Sequence, residues 1–138
     1  MSRVLLVLTT AALGLGFVSR PPKPYRVAFD LTSRDSLDQR AVLRWIRETT
    51  TASPEAEVEV VMYGKGFELV MPERSAFAAD VKAAMANPKV AFKVCEIAMR
   101  NNQIEKSQLV PGVQTVPDGL RELVSKQQDD WGYIKVSH

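Results

Sequence analysis

The chain has 138 residues, 46% hydrophobic and 25% charged, which fits about one domain with an ordinary apolar core rather than a disordered chain. Its single cysteine, Cys95, excludes an internal disulfide and any zinc site built from several thiolates of one chain, and its single histidine is the last residue, His138, which argues against a Ser-His-Asp or Cys-His pair. The net charge of +2 comes from Arg3 and Arg20, the remainder is balanced, and no basic stripe marks a nucleic-acid partner.

After Met1-Ser2-Arg3, the run Val4 to Val18 is uncharged and largely apolar. A positive start before a short apolar stretch reads as a secretory signal peptide over residues 1–20, with export to the periplasm as the expected destination. The alternative is an uncleaved anchor that leaves the domain facing the periplasm, so membrane contact is expected only if the leader is retained. The run is shorter than the roughly 20 residues that span a bilayer comfortably. Residues 21–24, Pro21-Pro22-Lys23-Pro24, read as a stiff extended linker, because proline fixes φ and removes the backbone donor. The folded domain is expected over 25–138.

Tyr25 to Leu31 reads as a first strand, rich in β-branched and aromatic residues. Ser36 is the expected N-cap of a helix reaching Thr50, with Leu37, Ala41, Leu43 and Trp45 at helical spacing. Val58 to Tyr63 is the second strand, stopped by Gly64-Lys65-Gly66, and Phe67 to Met71 is a short helical turn. Ser75 is expected to cap a helix from Ala76 to Asn87 that turns Phe77, Val81, Ala84 and Met85 to one side. Val90 to Cys95 is the third strand and Glu96 to Asn102 the next helix. Gln114 to Val116 is a short fourth strand. Leu120 to Gln128 is a helix with Leu120, Leu123 and Val124 inward, and Trp131 to Val136 is the fifth strand, placing Trp131 and Tyr133 on one face as core or subunit interface. Alternating strands and helices predict a three-layer α/β fold: a mostly parallel five-stranded sheet with helices on both faces. There is no glycine-rich dinucleotide fingerprint and no P-loop, and Gly64-x-Gly66 alone supports neither.

In such sheets the functional crevice lies beyond the carboxyl ends of the strands, and Cys95 falls there, where the third strand meets a helix. Helix-start N–H groups favour the thiolate, the nucleophilic form of sulfur. Glu96 opposes that effect if it points the same way, while Lys93 and Arg100 are close enough in sequence to offset it. The bland alternative is a cysteine that only fills space. No Cys-x-x-Cys is present, but a lone thiol can still accept sulfur as a persulfide. Asp30, at the end of the first strand, is within reach of the same crevice or serves a turn. Tyr63 and Lys65 flank the loop after the second strand, where Lys65 either attracts an anionic sulfur species or is simply solvated. Asp30, Tyr63, Lys65, Glu96 and Arg100 are therefore the candidate substrate-contacting residues around a candidate catalytic Cys95.

The segment Phe92-Lys93-Val94-Cys95-Glu96-Ile97-Ala98-Met99-Arg100 resembles the strand–cysteine–helix motif of the DsrE/DsrF-like family of sulfur-relay proteins. Val27 to Ser33, Val58 to Leu69, Val110 to Val113, Val116 to Gly119 and Gln127 to Lys135 resemble its other segments in order and spacing, so the likeness covers nearly all of 25–136. It is closest in kind to the exported single-domain members. Those often carry Asn-Thr-Met after the cysteine and one acidic residue, where this chain has Ile97-Ala98-Met99. The resemblance implies a five-stranded flavodoxin- or Rossmann-like fold, a homo-oligomer (trimer or hexamer), and a sulfur-accepting role for Cys95 without a cofactor or a metal. The partner would then be a sulfur donor or acceptor, either a protein or a small sulfur compound. The alternative is a non-catalytic oligomeric binding or assembly module of the same fold with a structural cysteine.

Overall fold

The computed structural model describes residues 21–137. The leader expected over 1–20, and His138, lie outside the described residues. No helix among the described residues is long and apolar enough to cross a membrane.

Five strands form one sheet: β1 (Arg26–Leu31), β2 (Glu57–Met62), β3 (Val90–Cys95), β4 (Gln114–Val116) and β5 (Gly132–Lys135). Their order is β4-β3-β2-β1-β5 and every pairing is parallel. Four α-helices connect them: α1 (Ser36–Ala52), α2 (Ala78–Met85), α3 (Glu96–Asn101) and α4 (Gly119–Gln128). The strands β1, β2 and β3 are covered on both faces and read as near-continuous apolar runs. The edges β4 and β5 are three and four residues long, and short edges limit pairing with other chains.

The two faces differ in kind. Val27, Phe29 and Leu31 of β1, with Val58, Val60 and Met62 of β2 and Phe92 and Val94 of β3, join Val42 and Ile46 of α1, Val81 of α2 and a 3-10 turn over Gly66–Val70 in one large apolar cluster. The alternate residues point the other way, toward α4. There the buried apolar cluster is small, made of Ala28, Val61 and Leu123, with Tyr63 and Trp131 packed on it.

Local rules explain where the element ends depart from expectation. The N-cap of α1 is Asp35, not Ser36: its carboxylate accepts from Leu37 N at 2.7 Å, so the helix is capped one residue earlier than expected and Ser36 becomes its first residue. The inward stripe of α1 is Val42 and Ile46, while Leu37 is exposed. Ser75 does bond to the chain ahead, accepting from Phe77 N at 3.0 Å, but α2 begins only at Ala78. On α4, Leu123 is buried as expected, yet Leu120 and Val124 are 57% and 52% exposed.

The loop after β2 runs hard against the end of β1. Gly64 adopts φ +59, the left-handed region, and a Cβ on Gly66 would lie 1.9 Å from the Leu31 carbonyl oxygen. Gly66→Ala is therefore expected to force the backbone apart and to cost on the order of 4 kcal/mol or prevent folding. Gly132→Ala, whose Cβ would stand 3.4 Å from the Arg26 oxygen, is the matched control with ordinary contact distance. Urea unfolding of both variants checks the contrast; equal stabilities would contradict the close approach.

Candidate functional site

Cys95 ends β3 and is the N-cap of α3, with extended φ and ψ (−67, 120) that turn the chain from strand to helix. Its alternation with Ala91 and Lys93 puts its side chain on the α4 face of the sheet. It lies at the base of a cleft of about 290 Å³. Tyr63 and Gly64 after β2, Ile97 and Asn102 from α3 and beyond, and Asp118 and Leu120 at the start of α4 form the walls. The cysteine is 4% exposed, so the cleft reaches it while covering most of its surface. A Cβ on Gly119 would lie 3.1 Å from Cys95 Cβ. A glycine at the start of α4 is thus what allows that helix to sit over the thiol.

Of the six residues singled out in the sequence, Cys95 and Tyr63 meet in the cleft. Asp30 stands behind Tyr63. Its carboxylate is buried and accepts from Tyr63 Oη at 3.2 Å, Tyr133 Oη at 2.6 Å and Lys135 Nζ at 3.1 Å. The Lys135 ammonium also sits 5.5 Å from the Tyr63 ring centroid. With three donors in place, Asp30 acts as an anchor that fixes the Tyr63 wall. Lys65 is exposed and donates to Asn102 Oδ1, while Asn102 Nδ2 bonds to the Ala98 carbonyl at 2.7 Å. Lys65 therefore reaches the rim through Asn102. Glu96 and Arg100 are not among the described residues lining the cleft. The Glu96 carboxylate accepts from Thr115 Oγ1 at 3.0 Å, tied to β4, and Arg100 is exposed.

Several residues that build the candidate site carry no local signal in the sequence. Asn101 and Asn102 looked like helix terminators, yet both line the cleft. Tyr133 and Lys135 join Asp30 because β5 pairs with β1 in the register Ala28↔Tyr133 and Asp30↔Lys135. Only the strand order brings these residues together, and local sequence carries no sign of it.

A second polar layer lies under the rest of α4. Glu59 Oε2 is 2.8 Å from Lys93 Nζ and 3.0 Å from Lys126 Nζ, and Glu122 Oε1 is 2.8 Å from Lys93 Nζ. Burial, together with a hydrogen bond shared with Glu122, pushes the Glu59 carboxyl above its usual range against the pull of Lys93 and Lys126. Its Oε1 is buried without a hydrogen-bond partner among the described residues, so the two lysines hold the carboxyl through Oε2 alone. Burial acts upward on Glu122 too, but the Glu59 hydrogen bond and the two lysines outweigh it and hold it low. Burial acts downward on Lys93, and its bonds to Glu122 and Glu59 more than reverse that.

Two expected outcomes follow from these layers. The hydrogen bond to Asp30, then burial and the Asp30 charge, raise the Tyr133 phenol to about 12. A phenol held above its ordinary value near 10 stabilises the fold fully below that value and loses the contribution as pH rises through about 12. Ultraviolet titration should show a late-ionising tyrosine that disappears in Tyr133→Phe and moves back toward 10 in Asp30→Asn; an unchanged profile would refute the arrangement. In the second layer, Lys93→Met removes the ammonium that Glu59 and Glu122 share and should cost on the order of 3 kcal/mol by denaturant unfolding; a variant as stable as wild type would count against a shared ion pair under α4.

Comparison with known proteins accords with this architecture. A structure of a protein of unknown function from Methanobacterium thermoautotrophicum superposes with a TM-score of 0.75 at 25% identity, covering 80% of this chain and 98% of that one. A conserved protein of unknown function from Bacteroides thetaiotaomicron has the same fold, with a TM-score of 0.64 at 9% identity, covering 80% of this chain and 94% of that one. No curated protein shows significant similarity. The sequence profile of the DsrE/DsrF-like family matches residues 27–136, from the first strand to the last, and the chain belongs to that family.

Proposed function

We propose that this protein carries sulfane sulfur on Cys95 and passes it between partners as a persulfide. The observation that carries the reading is the position of the chain's one thiol at the base of the cleft beyond the carboxyl end of β3. Family membership supplies the class of chemistry. The Cys95 thiol first gives its proton to solvent. The thiolate attacks the outer sulfur of a donor persulfide, the donor's S–S bond breaks, and its electron pair leaves on the donor thiolate. An acceptor thiolate then attacks the outer sulfur now on Cys95, and the Cys95 thiolate departs. Oxidation states balance across the two steps, so no redox cofactor is called for.

Glu96 supports this reading by being tied to Thr115, which keeps its carboxylate on the β4 side. The Tyr63 wall and the apolar Ile97 and Leu120 limit water around the sulfur. Ile97 and Leu120 are exposed apolar side chains that line the opening, and Val124 is exposed one turn further along α4, a surface suited to cover by a second copy or a donor protein. That surface supports the homo-oligomer, as a trimer or hexamer, that the family likeness suggests. The apolar run after Arg3 supports export to the periplasm. The low exposure of Cys95 favours one second reading, an assembly module in which the cysteine is structural.

Intact-mass analysis after incubation with a low-molecular-weight persulfide separates the two. Wild type should gain about 32 Da, one sulfur atom, lose it to a thiol acceptor, and gain none as Cys95→Ser. A wild-type protein that takes up no sulfur while a control thiol does, and whose Cys95 is alkylated only after unfolding, would overturn the relay and leave the module.

A further inference from the structure

At the opposite end of β3 from Cys95, a second crevice of about 390 Å³ opens between α1 and α2. Its origin is a mismatch in side-chain size. On the α2 side, Ala83 and Ala84 present only methyl groups, and Val81 is the one fully buried residue of that helix. The crevice therefore runs down to the main core, where Ile46 and Val90 line it at 3% and 6% exposure. Leu43 and Phe77 complete an apolar floor. Interiors are ordinarily close-packed, so a trough of this size that reaches core residues is a feature in the range of small-ligand sites, about 300–1,000 Å³.

The lip is charged. Arg40, Arg44 and Arg47 stand along one stripe of α1 at spacings of four and three residues, all exposed. Arg44 is engaged by Glu48 at 3.6 Å. Arg40 lies over the Phe77 ring, 6.0 Å from its centroid, and neither Arg40 nor Arg47 makes an ion pair among the described residues. Asp80 is the acidic residue lining the crevice. Two guanidiniums without an ion pair among the described residues thus project from backbone positions roughly 10 Å apart along the helix axis, beside a hydrocarbon floor. A guanidinium is a planar donor fork matched to a carboxylate, and it is strongest at the edge of a low-dielectric surface.

We infer that the α1–α2 crevice binds a medium-chain apolar carboxylate, its hydrocarbon body on the Ile46–Phe77–Val90 floor and its carboxylate on Arg40 or Arg47. The floor excludes a purely polar anion as the best ligand, and the arginine stripe excludes an apolar cation. This site is separate from the Cys95 cleft and does not depend on sulfur chemistry there.

Calorimetric titration of the whole protein with decanoate, kept below micelle formation, tests the inference. Decanoate should bind at a single saturable site, decylammonium at least about tenfold more weakly, and acetate not measurably. Arg40→Gln with Arg47→Gln, both on the exposed lip, should weaken decanoate by about tenfold or more. Ala84→Leu should fill the trough and abolish binding with both arginines intact. Equal affinity for decanoate and decylammonium, many weak sites, or decanoate binding that survives the arginine changes would overturn the proposal. The arginine variant decides the matter even if Ala84→Leu fails to fold.

Discussion

The candidate site depends on how α4 is held to the sheet. On the α1–α2 face, hydrocarbon from three central strands and two helices does the holding, and that attraction is non-directional. Under α4 only Ala28, Val61 and Leu123 form a buried apolar cluster. The rest of the attachment is the Glu59–Lys93–Glu122–Lys126 layer and the aromatic contact of Lys126, 4.4 Å from the Trp131 centroid. Ion pairs of this kind add little net stability, but they are sensitive to register: a helix displaced by one residue would leave acids or ammoniums unpaired. Since Gly119 and Leu120 at the start of α4 form part of the cleft around Cys95, a charge layer near the middle of the sheet fixes the shape of a cavity at its end.

The Asp30 cluster plays the complementary part at the other wall. A buried carboxylate surrounded by Tyr63, Tyr133 and Lys135 ties β1, β5 and the loop after β2 into one unit. Tyr63 can face the cysteine because its hydroxyl is already satisfied behind it. Removing that acceptor would leave a half-buried phenol to find another partner, so the polar tail and the cleft-facing ring of Tyr63 are coupled. Close passage of Gly66 against Leu31 sets where that loop leaves the strand. The glycine pair that had no ligand signature in the sequence turns out to have a steric one.

The strands and their parallel arrangement were legible because β1, β2 and β3 are covered on both faces and therefore show largely apolar runs between turn residues, interrupted by Asp30, Glu59 and Lys93. Cys95 was legible for the same reason, as the last residue of such a run. The inward face of α4 was not. Leu120, Leu123 and Val124 share a helical stripe, and apolar periodicity alone assigns all three to the core. In the structure Leu123 goes in with the charged Glu122 and Lys126, since the sheet beneath carries Glu59 and Lys93, and Leu120 and Val124 are left outside. Amphipathicity identifies a buried stripe only when the opposing surface is hydrocarbon. The partners of Asp30 were hidden for another reason: Lys135 lies 105 residues away, and only the placement of β5 beside β1 joins them.

The same geometry governs access to a thiol at 4% exposure. A reagent reaching Cys95 must pass between the Tyr63 loop, α3 and the start of α4. The first is braced by Asp30, and the second ends on the Lys65–Asn102–Ala98 chain of hydrogen bonds. Both walls are tied by short, specific contacts. The start of α4 is capped by Asp118, which accepts from Leu120 N at 2.9 Å, and beyond that cap the helix rests on one buried leucine and the charge layer. Of the three walls it has the least buried hydrocarbon beneath it, whereas β2 and α3 are built into the main core. The one sulfur atom is thus covered by the start of a helix that ion pairs hold to the sheet as much as close packing does.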